Sequence, residues 1–130
     1  MATIKFNRGD TLVREGERTN SIYILLNGRL GIFKGALMIS EFTDKGIVVG
    51  EMTAILGEKR TATIRALEDT LVIELKAGID AIIAQYPEIA KKIMINLAER
   101  LKRTTEEYWF IATEINQQQL DKAKEQERVV

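Results

Sequence analysis

The sequence of 130 residues contains neither cysteine nor histidine and only one proline. The missing thiols exclude disulfide bridges and thiolate metal sites. The missing imidazoles leave zinc, non-haem iron and histidine-ligated haem without their usual ligands, and they remove the commonest acid–base catalyst. We therefore expect no metal site and no catalytic residue in this chain.

The sequence also lacks an excess of positive or negative charge, and it lacks long hydrophobic runs. The 19 basic and 19 acidic residues give a formal net charge of zero, so no field of one sign attracts nucleic acid or an anionic membrane. No window approaches the roughly 18 apolar residues of a membrane span, and the N-terminus lacks the apolar segment of a secretory signal. We expect no nucleic-acid or membrane partner and a cytoplasmic location.

The first part of the chain has the pattern of an all-β domain. Hydrophobic residues make up 45% of the sequence, which is enough for one core, so we expect a single domain over residues 1–130. Within 1–75, eight short apolar runs alternate with glycine-containing turns, which predicts an eight-stranded β-roll or jelly roll. Asn27 and Gly28 predict a two-residue hairpin turn, and a further strand pair is predicted across 67–69.

The pattern becomes helical after Leu75. Gly78 and Pro87 bracket a short apolar segment, so a short helix is predicted within 76–86. Neither glycine nor proline occurs after Pro87, which permits one long helix over 87–118. The segment 119–130 loses the apolar pattern and is predicted to fray. The predicted fold class is mainly β with C-terminal helices.

One side of the long helix has apolar or neutral residues at alternating intervals of three and four. This heptad pattern predicts a coiled-coil seam, and the chain offers no second long helix to fill it, so a parallel homodimer is the economical solution. The alternative is that this side packs on the β-roll of its own chain. The seam consists of Met94, Leu97, Leu101, Thr104, Tyr108, Ile111, Ile115 and Gln118.

The segment GEMTAILGEKRTAT, residues 50–63, places an acid and an arginine around a short predicted helix. Gly50 lacks the Cβ that would keep a ligand from the backbone, and free amides at a helix start attract an anion such as phosphate. Arg60 could hold the same anion with two parallel hydrogen bonds. Glu51 accepts hydrogen bonds only, so it would suit a hydroxyl beside the anion. A structural Glu–Arg salt bridge is the alternative.

The longer segment GEMTAILGEKRTATIRA resembles the phosphate-binding cassette of cyclic nucleotide-binding domains, which runs Gly-Glu-Leu-Ala-Leu, a variable stretch, then Arg-(Ser/Thr/Ala)-Ala. Upstream, FNRGDTLVREGE and YILLNGRLGI are similar to the early strands of that family, so the resemblance covers about the first three quarters of the chain. It implies cyclic AMP or cyclic GMP as the ligand, with no further cofactor. We expect no helix-turn-helix domain, which removes the DNA-binding output of the family's transcription factors.

The resemblance also implies roles for individual residues of the cassette. Glu51 matches the acid that accepts the ribose 2′-hydroxyl, and Arg60 matches the arginine on the cyclic phosphate. Gly50 and Met52 match backbone positions around the sugar and the phosphate. Ala62 matches the small residue whose backbone completes the cradle.

Residues that select the base are implied in two places. Thr61 falls where a threonine is associated with cyclic GMP. LAERLKRTTEEY, residues 97–108, is similar to the dimer helix of bacterial catabolite-activator proteins, in which two successive hydroxyl residues reach the adenine amino group; Thr104 and Thr105 match them. Thr104 could instead set the coiled-coil register, and Arg100 either contacts the base edge or pairs with an acid of the partner helix.

Three functions remain in play from the sequence. The leading hypothesis is a dimeric cyclic nucleotide sensor, with cyclic AMP favoured, in which the ligand draws the hinge near Gly78 and Pro87 and the long helix against the cassette. The second is a ligand-free dimerisation module with a vestigial pocket. The third, a metal-dependent enzyme of the cupin type, conflicts with the absence of histidine.

Overall fold

The structure is a computed structural model and describes residues 1–128. Strands come first and helices mostly follow, with one short helix inserted between the sixth and seventh strands. In chain order the described elements are β1 (Ala2–Phe6), β2 (Thr11–Val13), β3 (Ile22–Asn27), β4 (Leu30–Lys34), β5 (Leu37–Phe42), β6 (Val48–Val49), α1 (Glu51–Leu56), β7 (Thr63–Ala66), β8 (Thr70–Leu75), α2 (Ile79–Gln85) and α3 (Pro87–Arg128).

The eight strands form two antiparallel sheets around one core. The strand orders are β1-β8-β3-β6 and β2-β7-β4-β5. Alternate side chains point inward, as β7 shows, where Ile64 and Ala66 are buried on either side of the half-buried Arg65. The core takes side chains from both sheets, for example Leu25 and Leu30. The predicted β-roll with C-terminal helices is therefore confirmed.

The predicted hairpin at Asn27 and Gly28 is wrong. The strands on either side of it, β3 and β4, lie in different sheets, and Asn27 pairs with Leu71 of β8. Only Gly28 has a positive φ, of 116°, and an added Cβ there would lie 2.4 Å from Thr70 Oγ1. Asn-Gly therefore carries the chain from one sheet to the other, and the glycine is needed because the backbone passes so close to Thr70.

The strand pair predicted across 67–69 is wrong for the same reason. β7 pairs with β2 and β4, whereas β8 pairs with β1 and β3. The tight hairpin of this fold lies between β4 and β5, where Lys34 pairs with Leu37 and Gly35 has φ 59°. Turn residues alone indicate that the chain reverses, but they do not specify which strand becomes the neighbour.

The helices follow the sequence signals with shifted ends. α1 ends at Gly57, whose φ is 68° and whose N–H donates to Thr53 O at 2.8 Å. α3 begins at Pro87, which suits a first helical residue. It continues to Arg128, beyond the predicted boundary at 118, and its last described residues are mostly good helix formers. The end of the predicted frayed tail, 129–130, lies outside the described residues.

The chain divides into two compact units at Met94. The first contains both sheets, α1, α2 and the start of α3. The second is the rest of α3, where Leu101 and Tyr108 are 67% and 73% exposed. Across the described helices, none combines the length and the apolar character needed to cross a membrane.

Candidate anion-binding site at helix α1

Gly50 joins β6 to α1 in a conformation that few other residues adopt. Its φ and ψ are 81° and 8°, in the left-handed region. A Cβ added to Gly50 would lie 3.0 Å from Arg60 Nη1 and 3.1 Å from Ser21 O. The glycine is therefore required twice, once for the backbone angle and once for the space that the guanidinium occupies.

Arg60 is the buried cation of this site, with 4% of its surface exposed. Its Nη1 donates to Gly50 O at 2.9 Å, its Nη2 to Ser21 O at 2.7 Å and its Nε to Thr19 Oγ1 at 3.1 Å. Its backbone is held too, since Arg60 N donates to Glu17 O at 2.8 Å. The guanidinium thus ties the start of α1 to the loop between β2 and β3.

These contacts leave the guanidinium with capacity for an anion. A guanidinium carries five N–H groups, and the three hydrogen bonds of Arg60 account for one on each nitrogen. Nη1 and Nη2 therefore each keep one N–H that these three bonds do not use, and an anion could also compete with the Gly50 carbonyl for Nη1. The sequence-based expectation that Arg60 belongs to the cassette fits this placement, although its partners in the structure are protein oxygens.

Glu51 is the first residue of α1 and is 1% exposed. A carboxylate at this end of a helix is stabilised by the backbone amides of the first turn. Burial lowers the pKa of the Arg60 guanidinium, while Tyr23, Glu17 and Glu51 oppose that shift because they favour the charged form. Glu51 therefore acts electrostatically on Arg60, and together they provide an acceptor and a donor fork at one short turn.

The other cassette residues are more open to solvent. Met52 is 47% exposed, Thr61 is exposed and Ala62 is half-buried. The carbonyl of Thr61 accepts a hydrogen bond from Lys34 Nζ at 2.7 Å. Lys34 therefore holds the cassette at the residue that follows Arg60.

A surface hollow of about 570 Å³ lies beside the end of the cassette. Its lining includes the candidate residues Arg60 and Thr61, and its other charged side chains are Arg18, Lys34, Lys59, Glu15 and Glu58. The volume falls within the roughly 300–1,000 Å³ of small-molecule pockets. The four basic side chains outnumber the two acidic ones, and this net positive charge suits an anionic ligand.

The three candidates for base contact lie in the second unit. Thr104 and Thr105 are exposed on α3, and Arg100 is half-buried. Arg100 and Thr104 are four residues apart and so share one face of the helix. Their contact with a base remains a prediction.

Sequence reasoning missed the loop that holds Arg60. Thr19 and Ser21 precede Arg60 by 41 and 39 residues, so no local spacing pattern connects them. The hydroxyl residues ahead of β3 are a weak signal, since such residues are common in loops. Lys34 was missed as well, because a lysine at the end of a strand has many solvent-exposed explanations.

Comparisons with known proteins concern the family and the fold of this chain. The family model of the cyclic nucleotide-binding domain matches residues 3–86. Lysophospholipase nte1 of Neurospora crassa is 29% identical over 104 residues, which is 76% of this chain and 7% of that protein. This chain thus spans only a small part of that relative.

Two solved structures are similar in fold. PKAR CBD2 bound to Sp-2Cl-cAMPS has 25% identity and a TM-score of 0.65, with 81% of this chain and 70% of that chain covered. The catabolite activator protein of Thermus thermophilus has a TM-score of 0.71 at 22% identity, with 85% and 55% covered, and this likeness concerns the fold alone.

Proposed function

The chain belongs to the family of cyclic nucleotide-binding domains, and from this premise we propose that it is a regulatory module that senses cyclic AMP in preference to cyclic GMP and catalyses no reaction. The observation that carries the proposal is the hydrogen bond from Arg60 Nη1 to Gly50 O beside the buried Glu51. A forked cation and a carboxylate at one helical turn match a ligand that joins an anionic phosphate to a neighbouring hydroxyl.

Each charged group of the site then has its own task. Arg60 donates to the cyclic phosphate, and the backbone at Gly50 and Met52 surrounds the phosphate and the sugar. Glu51 accepts from the ribose 2′-hydroxyl, so the two negative groups do not share a partner. Ala62 completes the cradle with its backbone.

The choice of base depends on residues outside the first turn of the cassette. Thr104 and Thr105 provide successive hydroxyls for the adenine amino group, with Arg100 at the base edge. The likeness to PKAR CBD2, whose structure holds Sp-2Cl-cAMPS, supports cyclic AMP. Thr61 is the one residue in the cassette that favours cyclic GMP.

The long helix supplies the dimer. Leu101, Tyr108, Ile111 and Ile115 recur on one seam of α3 and are 67%, 73%, 56% and 49% exposed. Apolar residues at these spacings are buried when two such helices pair in parallel. Bound nucleotide favours the arrangement in which the helix caps the ligand, because only differential affinity for that arrangement can shift the equilibrium.

Calorimetry with cyclic AMP and cyclic GMP tests the ligand. Replacing Arg60 by alanine removes hydrogen bonds to a charged group, which are worth about 1.5–3 kcal/mol, so affinity should fall about 10- to 150-fold. Arg8→Ala removes the same charge from an exposed turn and should leave affinity unchanged. Absence of heat with either nucleotide at high micromolar concentration would refute the proposal.

The second candidate is a dimerisation module with a vestigial pocket. The protein oxygens of Thr19, Ser21 and Gly50 on the Arg60 guanidinium favour it. In that case Leu101→Asp abolishes function by separating the helices, whereas Arg60→Ala has no effect. Sedimentation of wild type and both variants, with and without nucleotide, separates the two functions, since only a sensor responds to ligand.

A further inference from the structure

We infer that Thr19 is a positioning residue: its hydroxyl holds the guanidinium of Arg60 in the orientation that presents Nη1 and Nη2 to a bound phosphate. The inference rests on the proposed function, because it concerns the same phosphate site. Thr19 lies in the loop between β2 and β3, outside the cassette, where no sequence pattern connects it to Arg60.

A guanidinium presents two edges that can each make a pair of parallel hydrogen bonds. One edge consists of Nε and Nη2, and the other of Nη1 and Nη2. Thr19 Oγ1 lies 3.1 Å from Nε and Ser21 O lies 2.7 Å from Nη2. The loop therefore holds the single N–H of Nε and one of the two N–H groups of Nη2, so one further N–H on Nη1 and one on Nη2 are left for an anion.

Of the three acceptors that bond this guanidinium, Thr19 Oγ1 is the one that belongs to a side chain. The other two, Ser21 O and Gly50 O, belong to the backbone, so a substitution of those residues leaves the carbonyls in place. Whether Nε is held is therefore decided by the residue at position 19. Since Thr19 is exposed, its hydroxyl can be removed without opening a cavity in the core.

Loss of the Thr19 hydroxyl frees Nε while the bonds from Nη1 and Nη2 remain. The whole guanidinium can then rotate about its Cδ–Nε bond whenever one of those two bonds opens, and part of its population no longer presents Nη1 and Nη2 to the phosphate. Ordering the group on binding then opposes association, as for any side chain that is fixed only in the complex. Affinity for the phosphate falls, although no atom that touches the ligand has been removed.

The test uses the full chain with Thr19→Val, which keeps the shape of the side chain, and Thr19→Ser, which restores the hydroxyl. Thr43→Val changes another exposed loop threonine and serves as the control. Calorimetry measures cyclic AMP and its two phosphorothioate diastereomers, in which sulfur replaces one or the other exocyclic oxygen. A guanidinium held in one orientation distinguishes the two oxygens, so the affinity ratio of the diastereomers reports on its positioning.

The valine variant should bind cyclic AMP about 3- to 10-fold more weakly, the effect of one lost hydrogen bond. Its diastereomer ratio should move toward one, whereas Thr19→Ser and Thr43→Val keep the wild-type values. In NMR spectra without nucleotide, the Arg60 Nε–H should exchange with solvent several-fold faster in Thr19→Val. The unfolding temperature of that variant should stay close to that of wild type.

Two other outcomes overturn the inference in different ways. If wild type binds cyclic AMP and Thr19→Val matches it in affinity, in diastereomer ratio and in Nε–H exchange, the positioning role is refuted and the proposed function stands. If wild type binds none of the three nucleotides, the proposed function is refuted and the role of Thr19 falls with it.

Discussion

Replacing Gly50 by alanine tests the geometry of the site most directly, because Gly57 provides a matched control at the other end of the same helix. Both glycines are left-handed, with φ of 81° and 68°. An added Cβ at Gly57 meets nothing within 4 Å, whereas at Gly50 it lies 3.0 Å from Arg60 Nη1 and 3.1 Å from Ser21 O. Both substitutions therefore strain the backbone, but only the alanine at position 50 also collides with neighbouring atoms.

The shared strain of an alanine in the left-handed region is about 1–2 kcal/mol. At Gly50 the new methyl group also approaches a backbone carbonyl that cannot move away independently and a guanidinium that can. The guanidinium yields and its bond to Gly50 O is lost, which adds about 1.5–3 kcal/mol for a hydrogen bond to a charged group. We expect Gly50→Ala to destabilise the protein by about 2.5–5 kcal/mol and Gly57→Ala by about 1–2 kcal/mol.

Urea unfolding followed by circular dichroism measures both values, and calorimetry with cyclic AMP on the folded variants measures the effect on the ligand. Gly50→Ala should also lose more affinity than Gly57→Ala, since only the former moves Arg60. Equal losses of stability for the two variants would show that Arg60 does not rest on the backbone of Gly50, and the account of the site would then be wrong.

Two further predictions concern Tyr23 and Thr61. Burial, with a smaller contribution from Glu74, raises the pKa of the Tyr23 hydroxyl from 10.0 to about 12; the folded state therefore holds this proton more tightly, and about 3 kcal/mol of stability present below pH 10 should disappear as the pH rises to 12. Urea unfolding across that range should show the loss in wild type, and a loss of equal size in Tyr23→Phe would contradict the assignment. Thr61→Ala should weaken cyclic GMP more than cyclic AMP in competition binding, and an equal effect on both would mean that the hydroxyl does not read guanine.

Much of the β-roll could be predicted because its information is local. Alternating apolar residues identify strands, and glycines identify the ends of elements, as Gly35 does after β4 and Gly57 does after α1. The pairing of those strands could not be predicted in the same way. Asn27 and Gly28 have the composition of a hairpin turn, yet β3 and β4 lie in different sheets, and Gly28 packs closely on Thr70. That contact spans 42 residues of sequence and leaves no periodic trace.

The candidate site likewise contains residues that are local in sequence and residues that are distant. Gly50, Glu51 and Arg60 lie within one short segment. Their chemistry and their resemblance to a known cassette could therefore both be inferred from the sequence. Thr19 and Ser21, which hold the guanidinium, come from a distant loop and could be found only in three dimensions. The residues proposed to contact a ligand could thus be named from the sequence, whereas those that hold the Arg60 guanidinium could not.

The contacts of Arg60 also constrain how a ligand can act on this protein. The same guanidinium binds the backbone at Gly50 and the loop at Thr19 and Ser21, so a phosphate that draws on its Nη1 group competes with the Gly50 carbonyl. The free energy of binding then equals the gain from the bonds between Arg60 and the phosphate minus the loss of the bond between Nη1 and Gly50 O. This exchange makes the affinity moderate, although a guanidinium is a strong donor. In return, exchange at Nη1 alters the start of α1 while the Nε–Nη2 edge stays on the loop. A ligand that leaves Gly50 O bonded to Nη1 would gain affinity from Arg60 without moving α1. Only replacement of Gly50 O by the phosphate therefore couples binding to a change in the protein.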